Sequence, residues 1–123
     1  MSTNVFEDQK TFMQAGDQTT DRYNQDQLDL YINLIREEVA EMEDAINASN
    51  KVELLDAFLD IAVVTVGAIH SLGIDSQAAW DEVVRSNFSK VDKASGKILK
   101  LPSGKISKPD TFSPVNLDKF FED

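Results

Sequence analysis

Five carboxylates fall within about three helical turns of LIREEVAEMEDAI, residues 34–46: Glu37, Glu38, Glu41, Glu43 and Asp44. Like charges this dense repel unless a cation sits among them or water separates them. A second set follows. Glu53, Asp56 and Asp60 are spaced three and four apart and so share one face of a helix. Asp60 interrupts the apolar run 57–69, where an unpaired carboxylate is costly and must be neutral, hydrogen-bonded, paired or metal-bound. Arg36 and Lys51 are the only lysine or arginine residues between 23 and 84, too few to neutralise both sets. Hard divalent cations meet that need, and Mg²⁺ takes one or two carboxylates while water and phosphate oxygens complete its shell. The competing reading is a solvated helix face beside a capped polar residue in the core.

Two helices must position these groups. Leu28, Tyr31, Ile32, Ile35, Val39, Met42 and Ile46 recur at steps of three and four and predict a helix over about 26–47. Taking that stripe as zero, the helical turn sets Glu38 at roughly −80°, Glu41 at roughly −140° and Glu37 near roughly 180°. Glu38 therefore edges the core. Glu43 and Asp44 read as solvated surface. The second helix runs from about 51 to 72 and stops at Gly73. Its run 57–69 implies burial all round. The short link NASN makes the two helices antiparallel neighbours, with Glu37, Glu38 and Glu41 facing Asp56 and Asp60. Gly67 allows close approach of another group.

The remaining elements are shorter. Val5, Phe6, Phe12 and Met13 mark a first helix within 3–15, and residues 14–25 read as a polar loop. Asp75 or Ser76 can cap a further helix with Trp80, Val83, Val84, Phe88 and Val91 inward. His70 and Trp80 read as structural. SGKILKLPSGKISKPDTFSP predicts an extended arm with a hairpin turning near Ser103–Gly104. Ser113–Pro114 then starts a last short helix carrying Leu117, Phe120 and Phe121. The fold expected is all-α: a bundle of about four to five helices in one domain over 1–123. Its core is about 26–93, its extended C-terminal arm 94–123, and oligomerisation completes the core.

Composition excludes several functions. The 123 residues contain no cysteine, so disulfides and thiolate zinc sites are impossible. A net charge of −10 argues against general nucleic-acid binding. No secretory leader opens the sequence, and the longest apolar run is too short for a bilayer, so a cytoplasmic protein with no membrane partner is expected. Six of nine lysines fall between 90 and 108, giving a basic arm on an acidic body. Glycine and proline there suggest a strap that closes over bound phosphates. No Walker loop, GxGxxG or activated Ser/Cys nucleophile is visible.

EEVAE together with ELLDAFLDIAVVTVGAIHSLGID, EVVRSNFSKVD and GKISKPDTFSP resembles the MazG-like all-α nucleoside triphosphate pyrophosphohydrolases, over roughly 28–118. The resemblance is to the compact phage and bacterial type related to dimeric dUTPases and phosphoribosyl-ATP pyrophosphohydrolase. It implies Mg²⁺-dependent hydrolysis of a nucleoside triphosphate, or related nucleotide, to the monophosphate and pyrophosphate, by a homodimer or homotetramer, with Mn²⁺ a substitute. It implies metal ligation by Glu38, Glu41 and Asp60. Glu37 then serves a further metal or polarises the attacking water. Many members carry a glutamate where this chain has Ala57, and Asp56 is the substitute, with Glu53 second. Asn87 and Lys90 become phosphate or sugar contacts, with Lys105 and Lys108 behind them. The sequence leaves open the nucleotide, the number of metals and the biological role. An alternative of another class is a non-catalytic helical domain that binds nucleotide, metal or a partner protein.

Overall fold

The computed structural model describes residues 4–122. Its elements are α1 (Val5–Ala15), α2 (Gln25–Asn47), α3 (Lys51–Ser71), α4 (Ser76–Phe88), the two-residue strands β1 (Val91–Asp92) and β2 (Lys97–Ile98), and a 3₁₀ turn, Asp118–Phe121. The expected mostly helical architecture is thus present. The first helix is α1; residue 3 of its expected span lies outside the described residues. The chain divides into two compact units, one up to Ser76 and one from Gln77.

In the first unit α2 and α3 form an antiparallel hairpin, with α1 against α3. Each helix starts on an asparagine cap: Asn4, Asn24 and Asn50 accept from the backbone N–H groups of Glu7, Gln27 and Glu53. The hairpin turn is tight for a definable reason. Ser49 adopts φ 51°, its N–H donates to Ile46 O at 3.1 Å, and Asn50 N–H donates to Ala45 O at 3.0 Å. That is the paired-bond ending in which a left-handed residue closes a helix. Asn50 then caps α3 at once, so α3 returns directly along α2.

Two contacts set the register of that return. Gln27 Nε2 donates to Ser71 Oγ at 2.9 Å. The Tyr31 ring lies on Gly67, where an added Cβ would stand 2.3 Å from Tyr31 Cε1. Both pairs are symmetric about Ser49. The same symmetry sets Glu38 across from Asp60 and brings Glu41 level with Asp56 and Ala57.

The buried line of α2 corrects the expected stripe. Gln27, Tyr31 and Ala45 are its buried residues, whereas Val39 and Ile46 are 38% and 48% exposed. Tyr31, Glu38 and Ala45 lie seven apart, on one line of the helix. The face packed on α3 is thus turned toward the carboxylate flank. The expectation that 57–69 is buried all round is also corrected. Ala57, Val66 and Gly67 are buried, but Phe58, Leu59 and Val63 are exposed, as are Val52 and Leu55 before them. Within this unit α2 and α1 cover only part of the circumference of α3.

His70 is structural, as expected. Its Nε2–H donates to the Phe6 carbonyl at 2.9 Å, and since a carbonyl only accepts, Nδ1 takes the proton of Ser76 Oγ at 2.9 Å. Both ring nitrogens are satisfied and buried, tying α1 to the end of α3. Gly73, at φ 75°, ends α3 where a Cβ would stand 2.4 Å from the backbone of Arg22 and Tyr23.

The second unit is held together by polar groups. On α4 the buried residues are Ser76, Glu82 and Ser86, while Trp80 and Phe88 are 54% and 70% exposed, against the expectation of an inward apolar face. The C-terminal segment binds along α4 at Glu82 and Ser86, and at Ser89 just beyond its end. Ser86 Oγ donates to Ser113 O at 2.9 Å, Ser113 N–H donates to Ser89 Oγ at 2.8 Å, and Asn116 N–H donates to Glu82 at 2.7 Å. Ser113 therefore does not cap a helix; its backbone is spent on α4, and the last turn begins at Asp118. A bridge between Lys100 and Ile106 flanks the turn at Gly104 (φ 88°), as expected, and β1 pairs with β2 in a second hairpin. Among the described residues no helix is long and apolar enough to cross a membrane.

Candidate active site

Three of the predicted metal ligands, Glu41, Asp56 and Asp60, act on the fourth, Glu38. Glu38 lies on the α2–α3 seam, partly buried, and its Oε2 is a buried atom with no hydrogen-bond partner among the described residues. Burial raises its carboxyl above the ordinary range. Contact with the Glu41 carboxyl adds to this, and the charges of Glu41, Asp60 and Asp56 push the same way. This is what the register requires: Glu38 stands across from Asp60, one turn from the level of Glu41 and Asp56.

Among the described residues no cationic group pairs with these acids: the ion pairs join Arg22 to Asp21 and Glu82 to Arg85 and Lys119. Arg36 instead donates to Asn33 Oδ1 at 3.3 Å. Among the described residues no three acids or histidines converge as a ready-made ligand set. Flexible like charges fan apart by their own repulsion. The donor set nonetheless fits a hard cation: oxygen only, carboxylate-rich, with one buried oxygen lacking a partner.

The other predicted residues are placed as follows. Glu37 is exposed and is not among the charges acting on Glu38. Asp56 is among the charges acting on Glu38, and Glu53 is not. Glu41, Asp44, Glu53 and Asp56 line a cleft of about 400 Å³ at the helical turn. In the second unit, Lys90 Nζ donates to Asn87 Oδ1 at 3.2 Å, as their spacing implied. Lys105 lies in the arm's turn, its carbonyl accepting from Leu101 N–H at 2.7 Å. The Lys108 ammonium sits 4.7 Å from the centre of the Phe112 ring.

The sequence reading missed one arrangement. Glu82, 7% exposed, accepts from Arg85 Nε at 2.7 Å and Arg85 Nη2 at 2.9 Å, and Lys119 lies 3.9 Å away. Bonds from Arg85 and from Asn116 N–H hold its carboxyl well below the usual range, at about 2, against the effect of burial. The acid–base spacing of three along α4 was the available signal.

The profile of the phosphoribosyl-ATP pyrophosphohydrolase family matches residues 5–87, spanning α1, α2 and α3 and nearly all of α4. No curated protein matches the chain.

Proposed function

Because the chain belongs to the phosphoribosyl-ATP pyrophosphohydrolase family, and is thus a nucleotide pyrophosphohydrolase acting on acid anhydrides, we propose that it cleaves a nucleoside triphosphate or related nucleotide to the monophosphate and pyrophosphate with Mg²⁺. The non-catalytic alternative is set aside by that membership. The observation that supports the metal reading is the orphaned buried oxygen of Glu38 among Glu41, Asp56 and Asp60.

Glu38, Glu41, Asp56 and Asp60 would hold the ion, with Mn²⁺ as substitute. When bound, it supplies Lewis acidity toward phosphate oxygens and a more acidic water. The chain's own groups do the rest. Glu38 and Asp60 would reach the ion from facing helices, across the seam whose register Gln27–Ser71 and Tyr31–Gly67 set. Glu37, one helical step from Glu38 and open to solvent, accepts the proton of the attacking water. Asn87, Lys90, Lys105 and Lys108, in the second unit, carry the amide and ammonium groups suited to a phosphate chain.

We propose further that the enzyme is a homodimer, or a homotetramer built from it. The support is the exposed row Val52, Leu55, Leu59 and Val63, spaced three and four apart along α3. The groove of about 160 Å³ between that row and Val5 adds to it.

The test is product analysis over ribo- and deoxynucleoside triphosphates and phosphoribosyl-ATP, with Mg²⁺ and with chelator. Monophosphate plus pyrophosphate, only with metal, is expected. Diphosphate plus phosphate, or no dependence on metal, would overturn the reading.

A further inference from the structure

The second unit contains a cleft that the carboxylate chemistry does not use. It has a volume of about 450 Å³ and is lined by Arg85, Phe88, Ser89, Val91, Lys93 and Thr111, with Ser113 at its edge. In a chain of net charge −10, two cations meet here in one concavity.

The donors can be followed one by one. A guanidinium has five N–H groups in a fixed plane. Arg85 commits Nε–H and Nη2–H to Glu82, and Nη2 also donates to the Pro114 carbonyl at 3.1 Å. Both hydrogens on Nη1 are uncommitted among the described residues. The buried Glu82 therefore anchors the guanidinium on one edge and leaves the other free. The Lys93 ammonium and the Thr111 hydroxyl have no partner among the described residues, and both line the cleft. Phe88, 70% exposed, adds an aromatic wall, with Val91 beside it. The Ser89 hydroxyl is already spent on Ser86 O and Ser113, so it shapes the wall rather than binding.

We propose that this cleft binds a nucleoside phosphate, its phosphate on Arg85 Nη1, Lys93 Nζ and Thr111 Oγ1 and its base against Phe88. A guanidinium held by a buried carboxylate presents its free edge without the usual loss of rotamer freedom, which favours an oxyanion. An aromatic face stacks a base of any identity, so the site reads charge and planarity rather than sequence. The inference is independent of where the metal sits. It assigns Glu82 as a positioning residue for Arg85.

The test uses the full chain carrying Glu38→Gln, in chelator, so that binding is read without turnover. A nucleoside monophosphate, inorganic pyrophosphate and the uncharged nucleoside are titrated while the Arg85 Nε resonance and the amides of 85–93 and 111–113 are followed. The monophosphate is expected to shift these signals and bind about tenfold more tightly than pyrophosphate; the uncharged nucleoside should leave them unchanged. Phe88→Ala removes the monophosphate's advantage and leaves pyrophosphate binding intact. Lys93→Gln and Thr111→Val, both on exposed side chains, each weaken both anions about fivefold or more. Competitive inhibition of the unmodified enzyme by monophosphate identifies the ligand as substrate or product. A change in kcat at saturating substrate identifies a separate effector. Signals elsewhere in the chain, or affinities indifferent to all three variants, would overturn the proposal. If the unmodified chain hydrolyses nothing yet the cleft still binds, the proposed reaction falls and the site stands.

Discussion

Gly67→Ala tests the link from packing to chemistry. The new Cβ would stand 2.3 Å from Tyr31 Cε1 and 2.6 Å from Cδ1 and Cζ. Carbon atoms pack at about 3.5–4.0 Å, so the gap must open by about 1.2–1.7 Å. The ring cannot simply swing away, because Tyr31 OH donates to Gln18 Oε1 at 2.5 Å and accepts from Gln9 Nε2 at 3.5 Å. Overpacking of this size costs about 1–3 kcal/mol. Alanine's better helix propensity returns about 1 kcal/mol, and disturbed hydrogen bonds take back about 0.5–1.5 kcal/mol. The net is a loss of about 2 kcal/mol, which at this chain length lowers Tm by about 6–10 °C. The effect on activity is larger. Glu38 and Asp60 lie two turns, about 10 Å, along the same seam, and a displacement of about 1 Å at reacting groups costs about 100-fold. Urea unfolding and pyrophosphate release measure the two losses. In a Tyr31→Val background the same substitution should cost nothing further, since the ring it strikes is gone. A Gly67→Ala enzyme with unchanged stability and turnover would refute the register on which the site is built.

Three further outcomes are expected. Ser49→Gly should stabilise the chain by about 0.5–1 kcal/mol in urea unfolding, because glycine takes the observed φ of 51° without the Cβ penalty. The raised carboxyl of Glu38 means that the folded state holds that proton more tightly than the unfolded chain does. In chelator, stability should therefore fall as pH rises from about its ordinary 4.5 through the folded pKa and then level off, and Glu38→Gln should remove that slope. Light scattering at micromolar concentration should find a dimer or tetramer, and Leu59→Asp, on the exposed row of α3, should shift it toward monomer.

The main acidic positions were legible because spacing alone puts Glu38 and Asp60 on facing helices. The register was legible too, in retrospect: an antiparallel hairpin closed at NASN must pair residues equidistant from Ser49. What the spacing hid was the rotation of α2. Leu28, Ile32, Val39 and Ile46 outvote Glu38 in any hydrophobic count, yet the face packed on α3 runs through Gln27, Tyr31 and Ala45. Polar groups with partners, such as Gln27 between Thr19 and Ser71, pack as well as apolar ones. The same blindness applied to α4. Trp80 and Phe88 read as core, while the buried positions are Glu82 and Ser86, with partners 34 and 27 residues on, respectively. A contact that distant leaves no local pattern, so the tie of Ser113 and Asn116 to α4 could not be read from spacing.

The most direct measurement is turnover of Asp60→Asn at saturating Mg²⁺, with folding checked by thermal unfolding. The amide keeps the shape of the side chain but removes the charge that a divalent cation needs. The account predicts a folded protein with hydrolysis abolished. A folded Asp60→Asn enzyme releasing pyrophosphate near the unmodified rate would contradict it, because the charge placed across from Glu38 would then hold nothing the reaction needs.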